Sequence, residues 1–448
     1  MGLDRAATPK RPSGAIVSIA KSPSKKDTPT AKAKSGARSS AAATSSAPSV
    51  AATTPKRRPR CPKTFTFGSD FSGMDAAATA LKRMQLNFTV EFVSDIDPKC
   101  QKVLEFVHKP ALMFHDITNV DPDTKGYVDV YVWTPPCQDF SMAGKRAGAA
   151  GPRQTGKLMA KPLGYIRAKK PRLAIFENVF SLTYVRFRII MMCIVKHLKE
   201  SGYVVHNEIV NSNTCGLPQD RRRLFITAIR KDSIKQAFVW PKVCKAPSLN
   251  SILDQRLPTD VAGRLPAIQS QKVRCLKAFK ECHQNGIDPR VTPIAVDIDC
   301  GMKFFTYGID ECKTLTRNRG GSGGPWISTR GRRTTTQEIL KAAWALMKHT
   351  SPDCCASGLP DNTHQGCVPF RLTPMGNVSG LCASSAPQMQ GFTKADVPFE
   401  RLGITARQIG MMAGNAVSVN TMGCVLAEGL WSAGLVMEKP EFPITSHT

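Results

Sequence analysis

No apolar run in this 448-residue chain approaches the 18 or more residues that a membrane-spanning helix needs; the best, IIMMCIV at 189–195, covers seven. No membrane partner is expected on that ground. The 15 cysteines are odd in number and follow no repeating spacing, which suits a reducing compartment better than a disulfide framework. The N-terminus lacks the apolar core of a secretory signal, and Ala6 stands where a myristoylation motif takes Ser or Thr. Acidic residues are scarce: 34 Asp and Glu face 62 Lys and Arg, for a net charge of +28. Such an imbalance favours a polyanionic partner, either nucleic acid or an acidic membrane surface, and says little about fold.

The scarcity is sharpest at residues 1–60, where 13 Lys and Arg accompany only Asp4 and Asp27, giving +11 and leaving +17 for the remainder. Large apolar and aromatic side chains are almost missing there. Burial cannot offset chain entropy in such a segment, so a disordered basic tail is expected. KSPSKK (21–26) and PKRRPR (55–60) look like phosphate-seeking or nuclear-import clusters. A nuclear location is expected from them, with an organelle or a prokaryotic cytoplasm as the alternative. A solvated linker that only aids solubility would have the same composition.

From Thr64 the texture changes. Short β-branched or aromatic runs, TFTFGSD (64–70), FTVEFVSD (88–95), VDVYVW (128–133), RLAIFEN (172–178), YVVHNEIV (203–210) and RLFITAI (223–229), alternate with helical patterns at 75–86, 98–108, 157–169 and 185–200. The alternation predicts an open, mostly parallel α/β sheet, whose ligands sit beyond the carboxyl ends of the strands. Asp70, Asp95, Cys137 and Glu177 all fall at those ends. The division expected is a basic tail (1–60), a catalytic α/β domain (61–230), an irregular recognition region (231–400) and a C-terminal element (401–448). The last contains one long helix within 404–431 that returns to the sheet.

The chemistry concentrates in a few short stretches. In TPPCQDFSMAGKRAG (134–148) two prolines hold Cys137 on a stiff stalk, as a nucleophile needs and a packing cysteine does not. Gln138, Ser141 and the basic residues after them offer donors and charge for a phosphate backbone. Glu177 ends an apolar strand, where a desolvated carboxyl has a raised pKa. QDRRR (219–223) sets a glutamine and arginines at the head of the next strand, suited to clamping carbonyls or phosphates. CLKAFKECH (275–283) with Cys300 and Cys312 fits no standard zinc spacing, His115 and His283 read as incidental, and no metal is expected.

The order of these blocks resembles the C5-type DNA cytosine methyltransferases over roughly residues 64–437. FSGMD (71–75), SDIDPKC (94–100), HDIT (115–118), PPCQDFS (135–141), ENV (177–179), QDRRR (219–223) and GNAVSV (414–419) stand in family order. The resemblance implies a Rossmann-like sheet of the class I methyltransferase type with a smaller recognition domain, S-adenosylmethionine as cofactor, duplex DNA as partner ahead of RNA, and a monomeric catalytic unit. It implies Cys137, Glu177, Arg221 and Arg223 as catalytic residues. It implies Phe71, Ser72, Gly73, Asp95, Ile96, Asp116, Ile117, Pro136, Leu158, Asn415, Ala416 and Val417 around the cofactor. Gln138, Ser141, Asn178, Val179 and Gln219 are implied on the substrate side.

Two departures stand out. The family has two further glycines in its first loop, where this chain has Asp75 and Ala76; Asp75 could pair with the cofactor's ammonium group. The arginine–threonine block after the recognition region has two candidates, RRTTTQEIL (332–340) and RLTP (371–374), with its companion QGF only at 390–392, so an insertion of about 45 residues is expected there. Asp95 and Asp116 would serve equally well as plain helix N-caps. A tRNA-methylating enzyme of the same superfamily and an inactive chromatin-binding homologue remain as alternatives. The former carries a Cys-Phe-Thr triplet that this chain lacks.

Overall fold

A computed structural model of the chain describes residues 64–138, 140, 155–252, 268–289, 291–300, 305–318, 326–327, 385–393 and 395–444. The basic tail, Ser141 and both arginine–threonine candidates lie outside these residues.

Seven strands form one sheet: β1 Phe65–Asp70, β2 Phe88–Ser94, β3 Leu112–Phe114, β4 Val130–Trp133, β5 Leu173–Val179, β6 Tyr203–Asn211 and β8 Arg222–Arg230. β7, Gln219–Asp220, pairs outside this sheet with β11, Cys312–Lys313. The order is β3-β2-β1-β4-β5-β8-β6. β1 to β5 run parallel to one another, while β8 is antiparallel to both β5 and β6. The sheet is therefore mostly parallel, as the strand–helix alternation predicts.

Both faces of the sheet are covered, and the period of two along each strand divides the core. Val130 and Val132 of β4 face one cluster with Leu173 and Ile175 of β5. Tyr131 and Trp133 face the other with Ala174 and Phe176. The first cluster is closed by α1 (Ala76–Arg83) and α8 (Val419–Ser432), the second by α3 (Thr155–Lys169) and α4 (Arg188–Glu200). Each fully buried large side chain here contributes about 1.5–3 kcal/mol. Gly68 is required where it stands: a Cβ there would lie 2.6 Å from the Phe92 ring.

α1 is shorter than the pattern at 75–86. It ends because Gln85 takes a left-handed φ of 55° while Gln85 N and Leu86 N bond back to the Lys82 and Leu81 carbonyls, closing the turn that a glycine more often closes. α2 (Pro98–Val103) runs into a wider turn at Leu104–His108. The single helix expected within 404–431 is two: α7 (Ala406–Asn415), opened by a Thr405–Gln408 capping box, and α8, restarted when Ser418 accepts from Thr421 N. The break at Ala416–Ser418 places Asn415, Ala416 and Val417 at the sheet's carboxyl edge. α8 then runs back along the sheet, with Gly429 against Leu173.

In the region after 231, α5 (Gln269–Gln284) packs Cys275, Leu276, Phe279 and Cys282 on Ile294 and Val296 of β9 (Ile294–Val296). β10 (Tyr307–Ile309) and β12 (Trp326–Ile327) flank β9. A four-residue helix, α6 (Ser385–Gln388), leads into Gln390–Phe392.

Candidate functional site

A cavity of about 520 Å³ opens beyond the carboxyl ends of β1, β2, β4 and β5. The order of the chain explains its walls. Each parallel strand ends there, so the loops after β1 (Phe71–Asp75), β2 (Asp95–Asp97), β3 (Asp116–Thr118) and β4 (Thr134–Gln138) converge. β8 enters from the opposite direction, so its first residues, not its last, meet the end of β5. In that register Arg223 pairs with Val179 and Phe225 with Glu177. Arginines written before a strand thus reach a glutamate written near the end of another.

One half of the cavity is shaped by turns. Phe71, Gly73 and Asp75 all have left-handed backbones, with φ of 56°, 59° and 52°. Gly73 donates its N–H to Asp95 Oδ2 at 2.7 Å, and a Cβ on it would meet nothing within 4 Å. Asp95 also accepts from Asp97 N at 2.9 Å; burial raises its pKa, and these two backbone donors oppose the rise. α2 is capped by Asp97 rather than Asp95. Asp116 does cap, accepting from Thr118 N at 2.9 Å while still lining the cavity. Ile96, 73% exposed, and Ile117 supply apolar surface beside these carboxylates. Leu158, Pro136 and the Asn415–Val417 break complete this half. A flat apolar ring carrying a polar sugar-like group would suit such a donor set.

The other half holds Cys137, Gln138, Glu177, Val179, Arg221 and Arg223. Arg223 Nε lies 3.2 Å from Glu177 Oε1. Burial pushes the Glu177 carboxyl above its ordinary value, and the Arg223 and Arg221 guanidinia pull back against it. Burial likewise raises the Cys137 thiol; Arg223 lowers it, Glu177 raises it and Arg221 lowers it. The thiol, the acid and the two cations therefore form one electrostatic unit.

The stalk of Cys137 is stapled on three sides. Thr134 Oγ1 donates to the Phe71 carbonyl at 2.9 Å, tying the stalk to the first loop. Asn178 Nδ2 donates to the Pro135 carbonyl at 3.0 Å, and Ser181 Oγ to the Phe140 carbonyl at 2.6 Å.

Two residues expected on the substrate side sit elsewhere. Asn178 is 1% exposed and does not line the cavity: successive strand residues face opposite ways, so it points behind Glu177 and holds the stalk instead of a substrate. Gln219 is fully buried and accepts from Gln390 Nε2 at 3.2 Å, which also removes it from the substrate side. Arg221 reaches the cavity but spends two nitrogens on the scaffold, donating to the Leu315 and Ala416 carbonyls at 2.9 and 2.8 Å; only its Nε has no protein partner. Burial and the like charge of Arg223 pull its pKa down to about 9, still charged at neutral pH. Asp75 lines the cavity but is 2% exposed, and its carboxylate caps α1, accepting from Ala78 N at 2.8 Å and from Ser69 Oγ at 2.7 Å.

Residues missed in the sequence also line the cavity: Thr134, Phe392, Gln408, Met411, Met412 and Arg317. QGF at 390–392 was visible, and its Phe392 is here, fully buried. The 315–317 segment had no local signal. It arrives because Gly414 lets α7 come close: a Cβ there would sit 2.3 Å from the Thr316 carbonyl oxygen.

The family model described as C-5 cytosine-specific DNA methylase matches residues 65–428. The orphan methyltransferase M.SPRI of Bacillus phage SPR is 32% identical over 167 residues, covering 37% of this chain and 38% of its own length. The type II methyltransferase M.NgoBV of Neisseria gonorrhoeae is 29% identical over 201 residues, covering 42% of this chain and 46% of its own length. The chain thus spans about a third to a half of the length of the curated relatives it matches. Among solved structures, a Spodoptera frugiperda DNMT2 mutant aligns with a TM-score of 0.55 at 17% identity, over 82% of this chain and 100% of that one. The S. pombe Dnmt2 methyltransferase aligns with a TM-score of 0.51 at 15% identity, over 82% and 99%. At such identities the likeness shows the fold alone.

Proposed function

The chain belongs to the C-5 cytosine-specific DNA methylase family, and on that premise we propose that it methylates C5 of cytosine in duplex DNA with S-adenosylmethionine as donor. The observation that carries the reading is a thiol, a carboxyl with raised pKa and its arginine partner lining the same cavity as the carboxylates and apolar side chains of the 71–75, 95–97 and 116–118 loops. The donor set fits that cofactor: Asp95 and Asp116 for polar edges, Ile96 and Ile117 for a ring, and an open backbone at Gly73.

Cytosine inside a duplex presents no face to a nucleophile, so the base must be swung out. The Cys137 thiolate adds to C6, and electron density moves towards N3 and C5. Glu177, whose carboxyl burial pushes towards the protonated form against the pull of the arginines, gives a proton to N3, while Arg223 holds the carboxyl in place. S-adenosylmethionine, when bound, supplies a methyl group on a sulfonium, which C5 takes up. A base then takes the C5 proton, the electron pair left on C5 re-forms the C5–C6 double bond and expels the Cys137 sulfur as thiolate, and Glu177 recovers the N3 proton. The net charge of +28 favours a polyanion but does not distinguish DNA from RNA.

The test is transfer of labelled methyl from S-adenosylmethionine to duplex DNA and to tRNA by the full chain. Transfer to DNA that is lost in Cys137→Ser is expected. Transfer to tRNA alone would install the RNA reading, and tight DNA binding without transfer the inactive one. Nuclear residence through PKRRPR is proposed with it; neutralising residues 55–60 in the full chain should redistribute a fluorescent fusion.

A further inference from the structure

The best-buried ion pair in the described residues lies outside the seven sequence blocks that carry the resemblance. Lys125 and Asp70 are 2% and 1% exposed, and Lys125 Nζ lies 2.6 and 2.7 Å from the two Asp70 oxygens. Its ammonium sits 5.0, 5.5 and 5.9 Å from the ring centroids of Phe92, Phe114 and Tyr165. Asp70 also accepts from Ser94 Oγ at 2.7 Å and from the Tyr131 hydroxyl, so its acceptor sites are filled. A buried pair of this kind costs desolvation that apolar residues would avoid, so geometry rather than stability is the natural reason to keep it.

The geometry leads to the first loop. Ser94 receives Ser72 N on its carbonyl at 2.8 Å and gives its own N–H to Ser72 Oγ at 3.2 Å. Ser72 Oγ lies 2.7 Å from Ser69 Oγ, and Ser69 Oγ donates to Asp75 Oδ2 at 2.7 Å. A continuous polar chain thus runs from Lys125 through Asp70, Ser94, Ser72 and Ser69 to Asp75. Its far end fixes one of the two non-glycine residues that this loop holds in the left-handed region, Phe71 and Asp75. Such backbones are costly for L-residues and free for glycine.

We propose that the Lys125–Asp70 pair is a positioning device for the methyl donor: through the serine chain it holds the 71–75 loop in the shape that family glycines adopt unaided. Lys125 is not among the residues that line the cavity and acts only through the loop. The proposal rests on reading this half of the cavity as the donor site.

The test is a double-mutant cycle on the full chain, read by calorimetric binding of S-adenosylhomocysteine and by separate KM and kcat values. Lys125→Met should weaken S-adenosylhomocysteine binding about tenfold or more, raise the donor KM in parallel, and leave kcat at saturating donor and the DNA KM within about twofold. Asp75→Gly, measured alone as the reference of the cycle, should restore most of that loss in the Lys125→Met background, because glycine takes the left-handed turn without help. A purely structural role for Lys125 would not be repaired by a glycine on this loop. Should Lys125→Met not fold, Ser94→Ala interrupts the same chain and should weaken binding about threefold, again repaired by Asp75→Gly. Unchanged binding in the folded variant, or loss that Asp75→Gly leaves untouched, overturns the proposal while the donor site stands. Failure of the unaltered chain to bind S-adenosylhomocysteine overturns both.

Discussion

Replacing Asn178 by alanine separates a scaffold from a substrate contact. Its amide donates to the Pro135 carbonyl at 3.0 Å, and its own oxygen accepts from Val179 N at 2.9 Å. At 1% exposure neither partner finds water in exchange. Stranding the Pro135 carbonyl costs about 1–3 kcal/mol of stability. The catalytic cost is larger, because Pro135 begins the stalk that carries Cys137 two residues on, and a reacting atom displaced by about 1 Å loses up to roughly 100-fold in rate. Steady-state kinetics with labelled donor and a DNA duplex, paired with urea unfolding, should show kcat down about 10–100-fold and a lower urea midpoint, with the DNA KM within about twofold. Asn178→Asp should do no better, since it sets a carboxylate against a carbonyl. A raised DNA KM with kcat intact would place the amide on the substrate and refute the reasoning.

Further outcomes follow from the same geometry. Cys137 is raised by burial and lowered chiefly by Arg223, so its alkylation by iodoacetamide should accelerate with pH beyond the usual thiol range. Arg223→Ala should move that rise to still higher pH, and a move to lower pH would contradict the electrostatics. Gly414→Ala places a methyl 2.3 Å from the Thr316 carbonyl oxygen and 2.5 Å from Arg317 N. It should cost about 1–3 kcal/mol by thermal unfolding and weaken S-adenosylhomocysteine binding; an unaltered melting point would mean that α7 and the 315–317 segment do not touch.

The strands were legible because they are written as short, dense β-branched or aromatic runs, and all six expected runs are strands with ends shifted by two residues at most. β3 escaped because three residues, Leu112–Phe114, are too few to show any period. The long helix at 404–431 was over-extended: apolar periodicity continues through Ala416–Ser418, and the restart is written only in Ser418, an N-cap whose meaning depends on the break. The cavity-lining residues were legible where they follow a strand. Asn178 was misplaced although the alternation rule carries the answer, since Glu177 and Asn178 are neighbours on a strand and cannot share a face. Arg221 was harder, because the carbonyls that claim it lie 94 and 195 residues away. Nothing near Asp70 announces Lys125, 55 residues on.

The account turns on a transient bond between the Cys137 sulfur and C6 of a flipped cytosine. A DNA duplex carrying 5-fluorocytosine, incubated with the chain and S-adenosylmethionine, blocks the proton loss that normally frees the enzyme. Mass spectrometry of the denatured mixture should find protein and DNA covalently joined, with the peptide mapped to Cys137 alone. A joined peptide containing another cysteine, or no joined product from protein that transfers methyl groups to ordinary DNA, would contradict it.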